Sequence, residues 1–228
     1  MKAALVTGGS SGIGLAIARM LREEGFGLTL VSRRREKIEP AAEELDAHAV
    51  AADVSKEDDC RQLVAAHRER FGQLDVLVNS AGVGIAGNAE DLATKHFDLQ
   101  VGVNLRGLFI ITRECIALLR ESRGWIVNLA SLAGTVPSPG LGVYGATKAA
   151  VIALTRTLNA ELAGDGVRAV ALCPGFVDTP MAVWSGIPPE EMIKSEDCAE
   201  VIRMCLHLSP HARVPQVVIE RVGGVGGA

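Results

Sequence analysis
The chain has a single tyrosine, Tyr144, and it stands four residues before Lys148 in the run Tyr-Gly-Ala-Thr-Lys. On a helix that spacing puts the phenol and the ammonium on one face. Ser131 directly follows Trp125–Ala130, an apolar run that reads as a strand, so it falls at a strand's C-terminal edge. In open parallel sheets that is the edge where ligands bind. A phenol, an ammonium and an alcohol gathered there are groups that donate, accept and hold protons. Asn104 lies inside a long helical pattern between Gly102 and Gly107. Each glycine costs about 1 kcal/mol relative to alanine in a helix, which points to close backbone packing or a local break.

A second set of residues suits an anion. The first strand runs straight into Thr7-Gly8-Gly9-Ser10-Ser11-Gly12-Ile13-Gly14, and a helix follows. Glycines at a strand-to-helix turn let the backbone approach a pyrophosphate, and the helix start offers free N–H groups at its positive end. The spacing is Gly-x-x-x-Gly-x-Gly rather than Gly-x-Gly-x-x-Gly, and the Gly-Lys-[Ser/Thr] ending of a P-loop is missing. At the end of the second strand an NAD site usually places an acid for the ribose hydroxyls. Here no acid occurs between Gly25 and Glu36, and the chain reads Ser32-Arg33-Arg34-Arg35. Three cations at a helix start oppose its dipole by roughly 0.3–1 kcal/mol each. An anionic partner reverses that sign, and the 2′-phosphate of NADP would lie there. Arg33 with Ser32 is the expected pair, Arg34 or Arg35 the alternates, and NADP(H) is expected over NAD.

The elements that must position these groups alternate along the chain. Strands are expected at Lys2–Val6, Leu28–Ser32, His48–Ala52, Leu74–Asn79, Trp125–Ala130, Val167–Cys173 and Gln216–Glu220. Between them, helical patterns run over Gly12–Glu24, Glu36–Asp46, Lys56–Arg70, Thr94–Glu121, Val143–Ala163 and Glu196–Leu208, with Pro40 kinking or restarting the second. Seven strands alternating with helices imply an α/β class: a single-domain, doubly wound Rossmann fold, its parallel sheet covered on both faces. No linker divides residues 1–228, and the glycine-rich end 222–228 is expected to fray.

Composition agrees with that class and excludes others. Of 228 residues, 48% are hydrophobic and 22% charged, enough for a large core and unlike a disordered chain. The net charge of −4 leaves no basic footprint for nucleic acid. No apolar stretch reaches membrane-spanning length, and the N-terminal apolar run is too short for a signal segment. The five cysteines are scattered, odd in number and contain no Cys-x-x-Cys, so reduced thiols in a cytoplasmic protein are expected. His207 and His211 have helical spacing, but Ser209-Pro210 should break the helix between them, and no metal is expected.

Taken in order, the glycine turn, Asp53-Val54, Asn79-Ser80-Ala81-Gly82, Asn104, Ser131, Tyr-x-x-x-Lys and Pro174-Gly175 resemble the short-chain dehydrogenase/reductase family over nearly the whole chain. The family usually has a second Asn where this chain has Ser80, and this C-terminal strand lacks the Gly-Gln and Asp-Gly-Gly of many relatives. The resemblance implies carbonyl–alcohol interconversion by hydride transfer. Tyr144 is then the acid or base, and Ser131 holds the substrate oxygen. Lys148 binds the nicotinamide ribose, and Asn104 anchors a relay water. An ordinary phenol, with a pKa of about 10, must be lowered for this work; Lys148 and the nicotinamide charge are expected to do so. Gly8, Ser10, Ser11, Gly12, Ile13 and Gly14 would hold the pyrophosphate, and Asp53 and Val54 the adenine. Asn79, Ala81 and Gly82 would lie on the adenosine side, with Pro174, Gly175, Val177 and Thr179 at the carboxamide end.

Leu132, Ala133, Val136, Leu141, Val143, Met181 and Trp184 are candidate pocket walls. They are mostly apolar and suggest a weakly polar ketone or aldehyde rather than a sugar acid. Residues 179–195 occupy the place of the family's mobile substrate lid. Helix Val143–Ala163 is apolar nearly all round, so a partner subunit is expected to cover part of it in a homodimer or homotetramer. Two rivals stand: a nucleotide-sensing protein that keeps the fold without turnover, and an enoyl reductase, against which Ser131 argues.

Overall fold
The computed structural model describes residues 1–223, so the expected fraying from 224 onward lies outside the described residues. One parallel sheet carries the chain. Its strands are β1 (Ala3–Thr7), β2 (Gly27–Ser32), β3 (His48–Ala51), β4 (Val76–Asn79), β5 (Trp125–Leu129), β6 (Arg168–Pro174) and β7 (Gln216–Ile219). They lie in the order β3-β2-β1-β4-β5-β6-β7, all parallel in register pairs such as Leu5 with Leu77 and Val78 with Val127. The order reverses between β1 and β4, which opens a crevice above their C-terminal ends.

Period-two alternation divides the core into two layers. Ala4, Val6, Leu28, Val78 and Leu172 point to α1 (Gly12–Glu23), α2 (Arg35–Glu44) and α7 (Ser195–Leu206). Leu5, Val31, Leu77 and Ile126 point to α3 (Glu57–Phe71), α5 (Leu108–Ser122) and α6 (Gly142–Glu161). Pro40 neither restarts nor ends α2; it sits within the helix. The carbonyl it leaves without a donor is that of Glu36, an exposed residue that water can serve.

The long pattern from Thr94 is not one α-helix. Helix α4 (Thr94–Val101) passes into a π-turn, Gly102–Gly107, before α5 begins. A Cβ at Gly107 would stand 2.2 Å from the Val54 carbonyl oxygen, so both expectations for the flanking glycines, contact and break, hold at once. All five cysteines are buried and unbridged, and no described helix is long and apolar enough to cross a membrane.

Candidate active site
The crevice opens into a cavity of about 930 Å³ at the C-terminal ends of β1, β4, β5 and β6. Its floor is the first strand-to-helix turn. Gly8 and Gly12 adopt φ +67° and +52°, the left-handed region that disfavours side chains, and a Cβ at Gly14 would meet the Gly8 oxygen at 2.4 Å. Ser11 caps α1 with extended backbone but no side-chain hydrogen bond, and the first turn contains no acid. The helix start therefore keeps its N–H groups and positive end for an outside anion. Thr7 secures the turn: its Oγ1 accepts from the backbone N–H groups of Ser80 and Ala81, 3.1 Å each. Sequence reasoning passed over Thr7, although a polar residue ending a buried strand was the available signal.

The proton-transfer groups meet at the other end. Tyr144 and Lys148 are on α6, Ser131 leaves β5, and all three line the cavity. Lys148 Nζ donates to the Leu129 carbonyl at 2.6 Å and lies 5.6 Å from the Tyr144 ring centre. Ser131 Oγ accepts from Ala133 N at 3.2 Å and donates to the Pro174 carbonyl at 3.5 Å. Asn104 is fully engaged: Oδ1 accepts from Val83 N at 2.8 Å, while Nδ2 donates to the Val83 carbonyl and to Thr147 Oγ1. Thr147 Oγ1 in turn donates to the Tyr144 carbonyl at 2.7 Å. The π-turn is thus tied to α6 beneath the phenol through Thr147, a residue inside the Tyr-x-x-x-Lys run that sequence reasoning did not single out. Gln100 was also missed; it is fully buried on α4, and its Oε1 accepts from Ile85 N at 3.1 Å.

Burial pushes the Tyr144 phenol up from its ordinary value, with the Ser131 hydroxyl pulling the other way. Burial also moves the Lys148 ammonium down, to about 8, which leaves it mostly charged at neutral pH.

Among the expected nucleotide residues, Gly8, Ser10, Ser11, Gly12, Ile13, Ala81, Gly82, Pro174, Gly175, Val177 and Thr179 line the cavity. Gly14 packs beneath it, and Ser32, Arg33, Arg34, Asp53 and Val54 lie beyond it around the ends of β2 and β3. Asn79 departs from expectation: its side chain is buried in the sheet, and Nδ2 donates to Asn128 Oδ1 and Thr112 Oγ1. Around β2, Arg34 pairs with Glu36 at 3.8 Å and Arg35 with Glu39 at 3.2 Å, whereas Arg33 has no ion-pair partner among the described residues. Burial disfavours the Asp53 carboxylate, but hydrogen bonds from Ser55 and the charges of Arg33 and Lys56 hold its pKa below the usual value.

Leu132, Ala133, Leu141, Met181 and Trp184 line the cavity as expected. Val136 and Val143 do not: Val136 faces a separate hollow of about 310 Å³ against α6. The irregular loop between β4 and α4 and the segment after β6 instead contribute Ile85, Phe176 and Pro180. Arg221, just past β7, completes the wall.

Comparison with known proteins agrees with this architecture. Residues 2–186 match the family described as short chain dehydrogenase. An uncharacterized oxidoreductase of Staphylococcus epidermidis is 36% identical over 224 residues, covering 97% of each chain. The crystal structure of an alcohol dehydrogenase from the archaeon Thermococcus sibiricus, complexed with 5-hydroxy-NADP, superposes with a TM-score of 0.92 at 33% identity over 100% of both chains. A 3-ketoacyl-(acyl-carrier-protein) reductase from Brucella melitensis, complexed with NADH, gives 0.88 at 35% identity over 96% of each. The chain belongs to the short-chain dehydrogenase family of oxidoreductases.

Proposed function
We propose that the protein is an NADP-dependent oxidoreductase that interconverts a ketone or aldehyde and the corresponding alcohol, with Tyr144 as acid and base. The observation that carries this reading is one cavity lined at one end by an uncapped, glycine-rich helix start and at the other by Ser131, Tyr144 and Lys148. The residues present fit the nucleotide: a Cβ would obstruct the turn, and Arg33 forms no salt bridge among the described residues, the Asp53 carboxylate sensing its charge only at longer range. The two similar structures hold an NADP derivative and NADH respectively, so the preference for NADP rests on Arg33 and Ser32. Asp53 and Val54 take the adenine and Val177 and Thr179 the carboxamide.

When bound, NADPH supplies the hydride that reduces the carbonyl carbon. Ser131 Oγ donates a hydrogen bond to the carbonyl oxygen and fixes its direction. Tyr144 Oη passes its proton to that oxygen as negative charge develops there. Burial favours the neutral phenol, the form needed for reduction. Lys148 binds the ribose hydroxyls and stabilises the phenolate left behind, while Asn104 and Thr147 hold the base of Tyr144. In the oxidative direction the phenolate is the base. Residues 179–195 act as the lid. The exposed alanine face of α6 (Ala146, Ala149, Ala153) is the surface by which a second copy docks, as a homodimer or homotetramer.

The test is NADPH oxidation against a panel of ketones and aldehydes, run beside NADH and a Tyr144→Phe variant. Turnover should fall by about 10²–10⁴-fold in the variant, with NADPH binding retained. Tight NADPH binding without any turnover, and a Tyr144 phenol that titrates no lower with nucleotide bound, would favour a sensor instead.

A further inference from the structure
We propose that Arg221 anchors the substrate: it gives an otherwise apolar pocket one cationic end and selects carbonyl compounds that carry a carboxylate remote from the reacting carbon. The inference rests on the reductase reading above and replaces the expectation of a substrate without charge.

Among the described residues only two charged side chains line the cavity, Lys148 and Arg221, and no acid does. Lys148 is committed to the Leu129 carbonyl beside Tyr144. Arg221 has no part in proton transfer. It leaves β7 next to Gly175, whose N–H donates to the Ile219 carbonyl at 2.8 Å and whose absent Cβ would lie 3.5 Å from Leu132 Cδ2 and 3.8 Å from Arg221 N. Strand β7 is two places along the sheet from β5, the strand that delivers Ser131. At the usual strand spacing that separates the two ends by about 10 Å. The nearby walls, Leu132, Phe176, Met181 and Trp184, are apolar. A substrate spanning this distance has an apolar body with the carbonyl at one end and an anion at the other.

The guanidinium is poorly provided for by the protein itself. Its side chain is only 12% exposed, and its Nε is buried without a partner among the described residues. Its one acid among the described residues is Glu191, whose Oε2 lies 3.1 Å from Nη1 but whose side chain is 57% exposed and does not line the cavity. A pair with a half-hydrated carboxylate holds weakly, and a substrate carboxylate that reached the guanidinium from the cavity would meet a planar fork suited to two parallel hydrogen bonds. Glu191 therefore competes with the substrate for Arg221, and the two residues act in opposite senses.

The experiment compares a medium-chain ketone bearing a terminal carboxylate with its methyl ester, in the parent, Arg221→Gln and Glu191→Gln proteins. The ratio of kcat/KM for acid over ester should fall about tenfold to a hundredfold in Arg221→Gln and rise about two- to fivefold in Glu191→Gln. If the ion pair only braces the segment after β6, both substitutions break it alike and move acid and ester together, which overturns the proposal. A binding arm runs without turnover: a medium-chain saturated carboxylate and its primary amide are titrated against tryptophan fluorescence, with and without NADP. Carboxylate-selective binding that depends on Arg221, with no ketone turned over, would keep the anchor and refute the reductase. Equal binding of acid and amide would overturn the anchor whatever the turnover.

Discussion
Two glycines flank Asn104, and alanine at each should act in opposite directions. In Gly107→Ala the new methyl would lie 2.2 Å from the Val54 oxygen and 3.0 Å from its carbonyl carbon. Both are backbone atoms, so relief requires the π-turn to move away from the loop after β3. In Gly102→Ala the nearest atom is Ser55 Cβ at 3.7 Å, an ordinary contact. Each variant gains about 1 kcal/mol of helical preference. Overpacking at Gly107 costs about 1–3 kcal/mol or more, while Gly102 incurs no comparable cost. The two variants should thus differ by about 1–3 kcal/mol, or roughly 2–12 °C in melting temperature for a chain of this size. Thermal unfolding reads the difference directly. Displacing the π-turn also pulls Asn104 from Val83 and Thr147, so reductase turnover should fall in Gly107→Ala and persist in Gly102→Ala. Equal melting shifts in both variants would refute the close-approach reasoning.

The buried imidazole of His67 sits between Thr29 Oγ1 at 2.8 Å and the Gln73 carbonyl at 3.0 Å, and burial lowers its pKa from 6.5 to about 4. Between those values the unfolded chain binds the extra proton, so stability falls as pH drops; the loss between pH 7 and 5 should be about 2 kcal/mol, and urea unfolding of His67→Gln should lack that part of the slope. Lys148→Met removes a buried ammonium, so it should lose at least about 100-fold in turnover yet unfold at no lower temperature than the parent. Arg33→Ser should weaken NADPH binding about tenfold or more while leaving NADH nearly unchanged; equal loss of both nucleotides in a fluorescence titration would place the 2′-phosphate elsewhere.

What sequence makes visible here is what repeats or stands next to its neighbour. The five inner strands are mostly apolar runs buried on both faces, whereas the edge strands β3 and β7 are only partly buried. Tyr144 and Lys148 share a face because one turn of helix separates them. The glycine turn is legible because its positive φ values exclude most other residues. Side-chain direction in the third dimension is not local, and there the reading fails. Asn79 belongs to a recognisable motif, yet its amide turns inward to Asn128. Val136 is apolar and near Tyr144 in sequence, yet it faces the separate hollow against α6 while its neighbours Pro137, Ser138, Pro139 and Leu141 line the cavity, and Val143 lines neither. The π-turn leaves no periodic signature beyond its two glycines. Arg221 is separated from Tyr144 by the whole of β6, α7 and β7, and only the sheet order brings it to the cavity rim.

The π-turn also bears on how this chain tolerates changes in length. A turn of that kind holds, in effect, one residue more than α-helical winding needs, and one residue is about 100° of rotation. Gln100 and Asn104 can therefore both grip the loop after β4 while Ile111 and Cys115 keep facing the sheet. Removing any single codon between Gly102 and Gly107 would leave a continuous helix of ordinary appearance, still amphipathic and able to pack. One half would nevertheless be turned out of phase with the other. The surplus residue works as a phase shifter: its loss would be nearly invisible in a secondary-structure comparison and decisive for which side chains reach Val83 and Thr147.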